Sequence, residues 1–491
     1  MRINKVFLFV IIGVYIISLL VISKNLFTPY LSYDEAGQFF ISKGLNHDSN
    51  PFEKEKGLTY VVKSNSLYNL DPGGFTILLH FWSKISNSHI WLRLLPFSFF
   101  IGIILSFIYL SHLWLKNLNI AILMGFIPIL TPVILSMGFE VRAYSMESIG
   151  TIISIVVLEK LKSQISYKNL FLWSCVLSFY MTSRYSEIVI VFIVSLYVLY
   201  YIFNSNLVFK KKLLASAIFI IPIISTLIYI YFYALIFQNK NLDAVDYLPY
   251  ISNSRSILLV PKNLLFLCLI MFLIILLFLK NRYLVIKKYE MLLFVTISVN
   301  VLFIVLSFLG KHPWDPYSNR CISLFLLVLL CISALLGELI VPLFKSSEIL
   351  KYYFMVSIII FSLNSRKDSL IIRLNKSNTY YNFQRITLSD YDKIYVDCEE
   401  APTIRYLFEY GNLKSKKGLS YPDHFTFGKY GRHGFYEGQK SVRDYYRDQQ
   451  KMNDLLEYDL LITPGLAKYG NNDKWNLIDA TTNFYIKSKN Y

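Results

Sequence analysis

Unbroken apolar runs constrain this chain more than any other feature. Leu213 to Phe237, Ile257 to Leu279 and Met291 to Leu309 are each at or near the length at which a helix crosses a hydrocarbon core. A soluble fold of 491 residues has no interior for so many such runs. With 55% of residues hydrophobic and only 16% charged, lipid has to take the excess apolar surface. The first run, Val6 to Ile22, follows Arg2 and Lys5, and no small-residue cleavage site follows it. It is expected to be a retained span with a cytoplasmic N-terminus rather than a secretory signal.

A net charge of +17 would suggest nucleic acid in a soluble protein. Here the basic residues sit in alternate loops: Lys116; Lys160, Lys162 and Lys168; Lys210, Lys211 and Lys212; Lys280, Arg282, Lys287 and Lys288; Lys345 and Lys351. That is the positive-inside pattern of a multi-pass protein, and it removes nucleic acid from the expected partners. Crossing at every apolar run gives about eleven spans. They begin near Val6, Leu94, Asn119, Met146, Leu170, Glu187, Leu213, Ile257, Met291, Cys321 and Tyr352. Leu170 to Met181 and Tyr352 to Leu363 are short for a full crossing, and the side on which the tail lies depends on the second of them. Of the five cysteines, only Cys398 lies in a polar region, so no disulfide framework is implied.

The expected fold is a polytopic α-helical membrane domain over residues 1–363, followed by a small extracytoplasmic α/β domain over residues 364–491. The first outer loop, 23–93, reads as structured: Glu35 to Leu45 and Phe75 to Ile85 carry apolar residues at helical spacing around the turn Asp71-Pro72-Gly73-Gly74. Both segments suit helices lying along a membrane surface. In the tail, Lys393 to Asp397 and Leu460 to Thr463 read as strands, with a helix over Pro402 to Tyr410 and a Gly- and Tyr-rich stretch from Phe425 to Gly438 between them.

Residues able to do chemistry gather in the outer loops. Asp34 and Glu35 follow the first span closely. Ser32 with Glu35 three residues later is a capping box, so one or both acids could simply start a helix; a carboxylate at such a position could equally act as a general base. Glu140, Arg142 and Tyr144 share a tight turn between two spans, either as an interfacial ion pair or as the wall of a polar cavity. Arg184 and Tyr185 form the outer turn of the next hairpin, where an interfacial anchor is the plainer reading. Lys311 to Arg320 brings His312, Asp315, Tyr317 and Arg320 together in a loop that two prolines fix locally, suited to ligand binding, to contributing a metal ligand, or to an aromatic belt with a snorkelling arginine. The chain has no HExxH, CxxC, P-loop or GxSxG motif to support zinc proteolysis, thiol redox, nucleotide hydrolysis or serine esterase chemistry. A base with several cations suits displacement of an anionic leaving group. Transfer of a sugar from a lipid phosphate is such a reaction, and it needs no general acid once the phosphate charge is neutralised.

In this order of motifs the chain resembles the GT-C glycosyltransferases, the group that includes protein O-mannosyltransferases and the lipid A aminoarabinose transferase. Asp34-Glu35 looks like the acidic pair of that group's first outer loop, and Trp91-Leu92-Arg93-Leu94-Leu95-Pro96 is similar to its Arg-Leu-Pro opening of the second span. Glu140 to Tyr144 resembles its Glu-Ala-Arg-x-Tyr turn, and Arg320 its arginine at the start of a late span. The departure is at Asp71-Pro72-Gly73-Gly74, where the group has His-Pro-Pro; His80 stands further on. The size and layout are similar to serotype-converting O-antigen glucosyltransferases. The resemblance implies Asp34 as the base with Glu35 as its rival, Arg142, Arg184 and Arg320 on the donor phosphate, and Asp71, His80, Glu140, Tyr144, His312, Asp315 and Tyr317 around the substrate. It further implies a polyprenyl-phosphate sugar donor, a glycan or lipopolysaccharide acceptor and a bacterial inner-membrane location with a periplasmic C-terminus. No cofactor is required, and a divalent metal stays open. A transporter or flippase of lipid-linked sugars, or an O-antigen polymerase or ligase, is the competing expectation.

Overall fold

In the computed structural model, the described residues are 5–45, 53–69, 71–163, 165–236, 238, 261–278, 287–309, 312, 314–343, 356–357, 359–360, 391–396, 400–411, 425–427, 457–462, 475–477 and 484–487. The chain divides into two compact units. One comprises residues 1–24, 96–232 and 248–370, the other residues 25–95, 233–247 and 371–491.

The first unit is helical. Its elements are α1 (Lys5–Ser23), and in chain order α5 (His89–Leu115, which enters this unit at Pro96), α6 (Leu118–Met124), α7 (Ile127–Leu130), α8 (Pro132–Met137), α9 (Tyr144–Ser163), α10 (Tyr167–Met181), α11 (Tyr185–Phe203), α12 (Phe209–Ile230), α13 (Pro261–Phe278), α14 (Glu290–Phe308) and α15 (Ile322–Leu343). Among the described residues, six helical segments are long and apolar enough to cross a membrane: Phe9–Phe27, His89–Leu115, Tyr185–Phe203, Phe209–Leu235, Glu290–Phe308 and Asn319–Glu338. Large apolar side chains such as Phe9, Leu20, Phe192, Ile221 and Leu265 stay exposed along helices, the surface a lipid-facing helix presents. This is a mostly helical, multi-pass architecture.

The other expected spans take different forms. The run from Asn119 breaks into α6, α7 and α8, because Pro128 and Pro132 cannot supply the amide protons a continuous helix needs. The run from Met146 becomes α9, 20 residues long, with Glu147 in its first turn and Lys160 and Lys162 in its last. The run from Leu170 becomes the 15-residue α10, whose start is fixed by the Ser166 hydroxyl accepting the Asn169 N–H at 3.2 Å. The run from Ile257 gives the 18-residue α13. Most of Tyr352 to Leu363 lies outside the described residues.

Helix α9 packs against α10, α11 and α15. Gly150 allows this close approach: a Cβ there would come within 2.8 Å of Tyr180 Cβ and 3.1 Å of Glu187 Oε1.

The second unit holds α2 (Tyr33–Ser42), α3 (Leu58–Tyr68), α4 (Gly74–Ser83), α16 (Ala401–Glu409) and a five-stranded sheet. The strands are β1 (Ile394–Val396), β2 (Phe425–Phe427), β3 (Leu460–Ile462), β4 (Trp475–Leu477) and β5 (Phe484–Lys487), in the order β2-β1-β3-β5-β4. β1 pairs in parallel with β2 and β3, while β5 runs antiparallel to β3 and β4. The all-apolar triplets of β1 and β3 are fully buried, as central parallel strands require. Of the Gly- and Tyr-rich stretch, Phe425–Phe427 forms an edge strand and 428–438 lies outside the described residues.

Helix α2 joins the two halves of this unit. Its Phe39 ring meets Tyr406 at 5.4 Å and Tyr410 at 5.2 Å, and the Arg405 guanidinium lies 4.0 Å above Phe40. The turn before α4 is held from α3: Asn65 Nδ2 donates to the Asp71 carbonyl at 2.8 Å. Gly73 sits there at φ +102°, and a Cβ would press within 2.9 Å of the same Asn65 nitrogen, so only glycine fits.

Candidate functional site

In the first unit, three of the loops expected to carry chemistry meet around Arg184. The turn before α9 is set by packing: Gly138 lies against Phe100, Phe139 stacks on Phe97 at 5.2 Å, and the Arg142 N–H donates to the Glu140 carbonyl at 2.6 Å. This places Tyr144 at the start of α9 and Arg142 just before it. Arg184 occupies the N-cap of α11 in extended conformation.

The Arg184 guanidinium lies 4.6 Å from the Tyr144 ring centre, and that of Arg142 lies 5.8 Å from the same ring. Two cations therefore lie within reach of one aromatic ring. Arg184 Nη1 donates to the Asn319 carbonyl at 3.2 Å, which ties in the turn carrying Arg320. Its Nε stands 3.6 Å from Glu147 Oε2. Glu147 is fully buried one turn into α9, and its Oε1 accepts from Ser323 Oγ at 2.6 Å and from Ser186 Oγ. Beside it, the fully buried Glu187 accepts from Thr151 Oγ1 at 3.0 Å and Ser154 Oγ at 3.5 Å.

A carboxylate fixed by two hydroxyls orients the arginine next to it, and the arginine keeps 16% of its side chain exposed. That is how a preorganised anion site is built: the cation is placed before the anion arrives, so little reorganisation remains. Arg320 is exposed on the three-residue helical turn Asn319–Cys321.

The rest of that last loop is packed rather than converging. The His312 ring is edge-on to Phe303 at 4.9 Å, and the Asp315 carbonyl accepts from the Ser318 N–H and Oγ. Tyr317 lies 5.9 Å from Phe266 and 5.7 Å from Phe325, and burial pushes its phenol above the usual range. Glu140 is half-buried. Lys311 and Pro313 lie outside the described residues. Among the described residues, no group of three or more His, Cys, Asp or Glu is placed to hold a metal ion.

In the second unit the two adjacent acids separate. Glu35 is fully buried; its Oε2 accepts from the Ser32 N–H and Oγ, both at 2.9 Å, and stands 3.3 Å from Arg93 Nη2. Arg93 is itself fully buried and also donates to the carbonyls of Thr28 and Tyr30. Asp34, on the next position of the same helix turn, is exposed. Asp71 is buried, with its carbonyl held by Asn65 and by Gln238 at 3.0 Å. His80 is buried against the Ser42 carbonyl, 2.8 Å from Nδ1.

Sequence reading named Arg142, Tyr144 and Arg184 but missed Glu147, which pairs with Arg184, Ser186 and Ser323, which hold Glu147, and the buried Glu187 beside it. The signal was present: Glu147 and Glu187 are charges in the first turns of otherwise apolar helices, and an acid at that depth needs a partner. It also missed Lys43 and Glu55, whose pairing across a loop has no local pattern. No protein-family model, curated protein or solved structure matches this chain.

Proposed function

We propose that the chain is a GT-C-type membrane glycosyltransferase with about eleven spans and an extracytoplasmic C-terminal α/β domain. In this reading it moves a sugar, glucose as first choice, from undecaprenyl phosphate to a cell-surface glycan such as O-antigen, at the periplasmic face of a bacterial inner membrane. The observation that supports the reading is the cluster of Arg142, Tyr144 and Arg184 oriented by buried Glu147. Such a cluster suits a phosphate whose charge grows as its bond to the sugar breaks.

The acceptor hydroxyl attacks the anomeric carbon, the bond from that carbon to the phosphate oxygen breaks, and the lipid phosphate leaves with the electron pair. The resemblance assigns the phosphate to Arg142, Arg184 and Arg320 and the hydroxyl proton to Asp34. Asp34 is preferred over Glu35 because its carboxylate is exposed, whereas that of Glu35 is committed to Ser32 and Arg93.

The test is transfer in membranes containing the full chain and labelled polyprenyl-phosphate sugars, with product glycans read by mass spectrometry. Asp34→Asn is expected to lower transfer by about a hundredfold or more while leaving the amount of inserted protein unchanged. Full activity in that variant would remove Asp34 as the base. Net movement of intact lipid-linked sugar across the bilayer, with no new glycosidic bond, would instead establish the transport reading.

A further inference from the structure

Helix α4 carries side chains able to pack on two sides, and the unit around it uses one of them. Phe75, Thr76, Leu79, His80 and Ser83 are buried, at the spacing of a single helix face. Two positions on, about 200° around the helix, Ile77, Leu78, Phe81, Trp82 and Ile85 repeat that spacing with apolar residues throughout. Of these, Phe81 is 52% exposed and Ile85 70%. Ile85 lies past the helix end but continues its turn, because the Lys84 and Ile85 N–H groups donate to the Phe81 and Trp82 carbonyls at 3.3 and 3.2 Å. Helix α2, whose sequence suits a membrane surface equally, keeps no such face: Glu35 to Ser42 are all buried, and the helix packs on α3, α4 and α16.

We propose that this strip is a membrane-interface anchor. Phe81 and Ile85 enter the acyl boundary beside the start of α5, the indoles of Trp82 and Trp91 lie at headgroup level, and Lys84 pairs with the phosphate of an anionic phospholipid. The inference concerns lipid alone and does not rest on the glycosyl-transfer reading.

Three observations carry it. First, the strip is locked to a helix that crosses the bilayer in the multi-pass architecture. Trp82 and Trp91 stack with ring centres 4.5 Å apart and planes 10° from parallel. Each indole N–H donates to the other residue's carbonyl, Trp82 Nε1 at 2.7 Å and Trp91 Nε1 at 2.9 Å. Trp91 stands in the first turn of α5, and His89–Leu115 is one of the six segments long and apolar enough to span. A helix of 27 residues is about 40 Å long against a hydrocarbon core of about 30 Å, which leaves about two turns to lie among headgroups.

Second, the composition is interfacial. The two indoles have spent their N–H groups on each other's backbone, so they combine flat apolar rings with a satisfied polar edge, the combination that places tryptophan at headgroup depth.

Third, the charge is placed for lipid. Lys84 is exposed, and its Nζ lies 5.4 Å from the centre of the Phe81 ring. An ammonium above an apolar strip can reach lipid phosphates while the strip stays in the acyl boundary. A second copy of the chain packed on the same strip would have to desolvate that ammonium, a cost the headgroup layer does not impose.

The experiment uses the full-length protein in nanodiscs of phosphatidylcholine and phosphatidylglycerol with brominated acyl chains, read by tryptophan emission. Ile85→Trp adds an indole on the strip, and about half or more of the emission it adds is expected to be lost relative to nanodiscs without bromine. Added emission that bromine leaves unchanged would overturn the anchor. Phe81→Trp asks the same question if Ile85→Trp cannot be purified. With bromine on phosphatidylglycerol alone, quenching is expected to report a local share of that lipid about fivefold above bulk, and Lys84→Gln on the Ile85→Trp background to return it to bulk. Equal quenching with and without Lys84 would overturn its assignment to a lipid phosphate. Emission that changes with protein concentration and not with bromine would give the strip to a second copy and overturn the lipid assignment.

Discussion

Glu35–Arg93 and Glu147–Arg184 are two of the three glutamate–arginine pairs among the described residues, and they are built for different ends. In one unit Glu35 and Arg93 are both sealed from solvent, and Arg93 also donates to two backbone carbonyls. In the other, Glu147 is equally buried, but Arg184 is 16% exposed and lies against the Tyr144 ring rather than within a set of carbonyls. The first pair closes a corner: it stitches the chain before α2 to the start of α5. The second holds a cation with one side turned outward. Burial alone does not mark a functional charge; the difference lies in which partner surrounds the arginine.

That contrast breaks most sharply at Arg93. Arg93→Met would leave the Glu35 charge buried without its cation and two carbonyls without a donor, at a cost of about 3–5 kcal/mol. It is expected to reduce recoverable, monodisperse protein and to lower the unfolding temperature before any effect on activity is measurable. Survival with wild-type stability would show that the sealed pair is not structural.

Arg184→Lys, which keeps a cation beside the buried Glu147, should behave in the opposite way. The protein is expected to fold, while donor binding weakens by about 1.5–3 kcal/mol, the worth of a hydrogen bond to a charged group. Titration with a polyprenyl-phosphate sugar in detergent measures it. An unfolding defect as large as that of Arg93→Met would make the two pairs alike. The smallest effect is expected at Tyr144→Leu, which removes the ring beside both guanidinium groups but no charge; a loss of about 0.5–1 kcal/mol of donor affinity follows from the cation–π contact. No change in affinity would mean that the ring only fills space.

The helical runs were legible because an apolar stretch long enough to cross lipid declares itself without knowledge of its neighbours. The strands Ile394–Val396 and Leu460–Ile462 were legible for a similar reason, as short apolar runs between polar turns. The broken course through α6, α7 and α8 was less so: the run from Asn119 is apolar throughout, and only Pro128 and Pro132 hinted that it would not form one helix. Arg142, Tyr144 and Arg184 were found because charged and phenolic side chains stand out at span ends. Their support was not, since Ser186 and Ser323 lie 137 positions apart and serine in an apolar helix is unremarkable by itself. The Lys43–Glu55 pair was hidden for the same reason.

By itself the sequence determined that the chain is mostly helix with segments suited to a membrane, and that its candidate chemistry lies at span ends, because hydrophobicity and charge act locally and are read residue by residue. The tertiary structure alone decided which acid beside Ser32 is buried and which is exposed, which arginine is sealed and which is presented, and that Glu55 pairs with the buried Lys43. Those outcomes depend on what each side chain meets across long sequence separations, where desolvation and hydrogen bonding set whether a charge is a strut or a site.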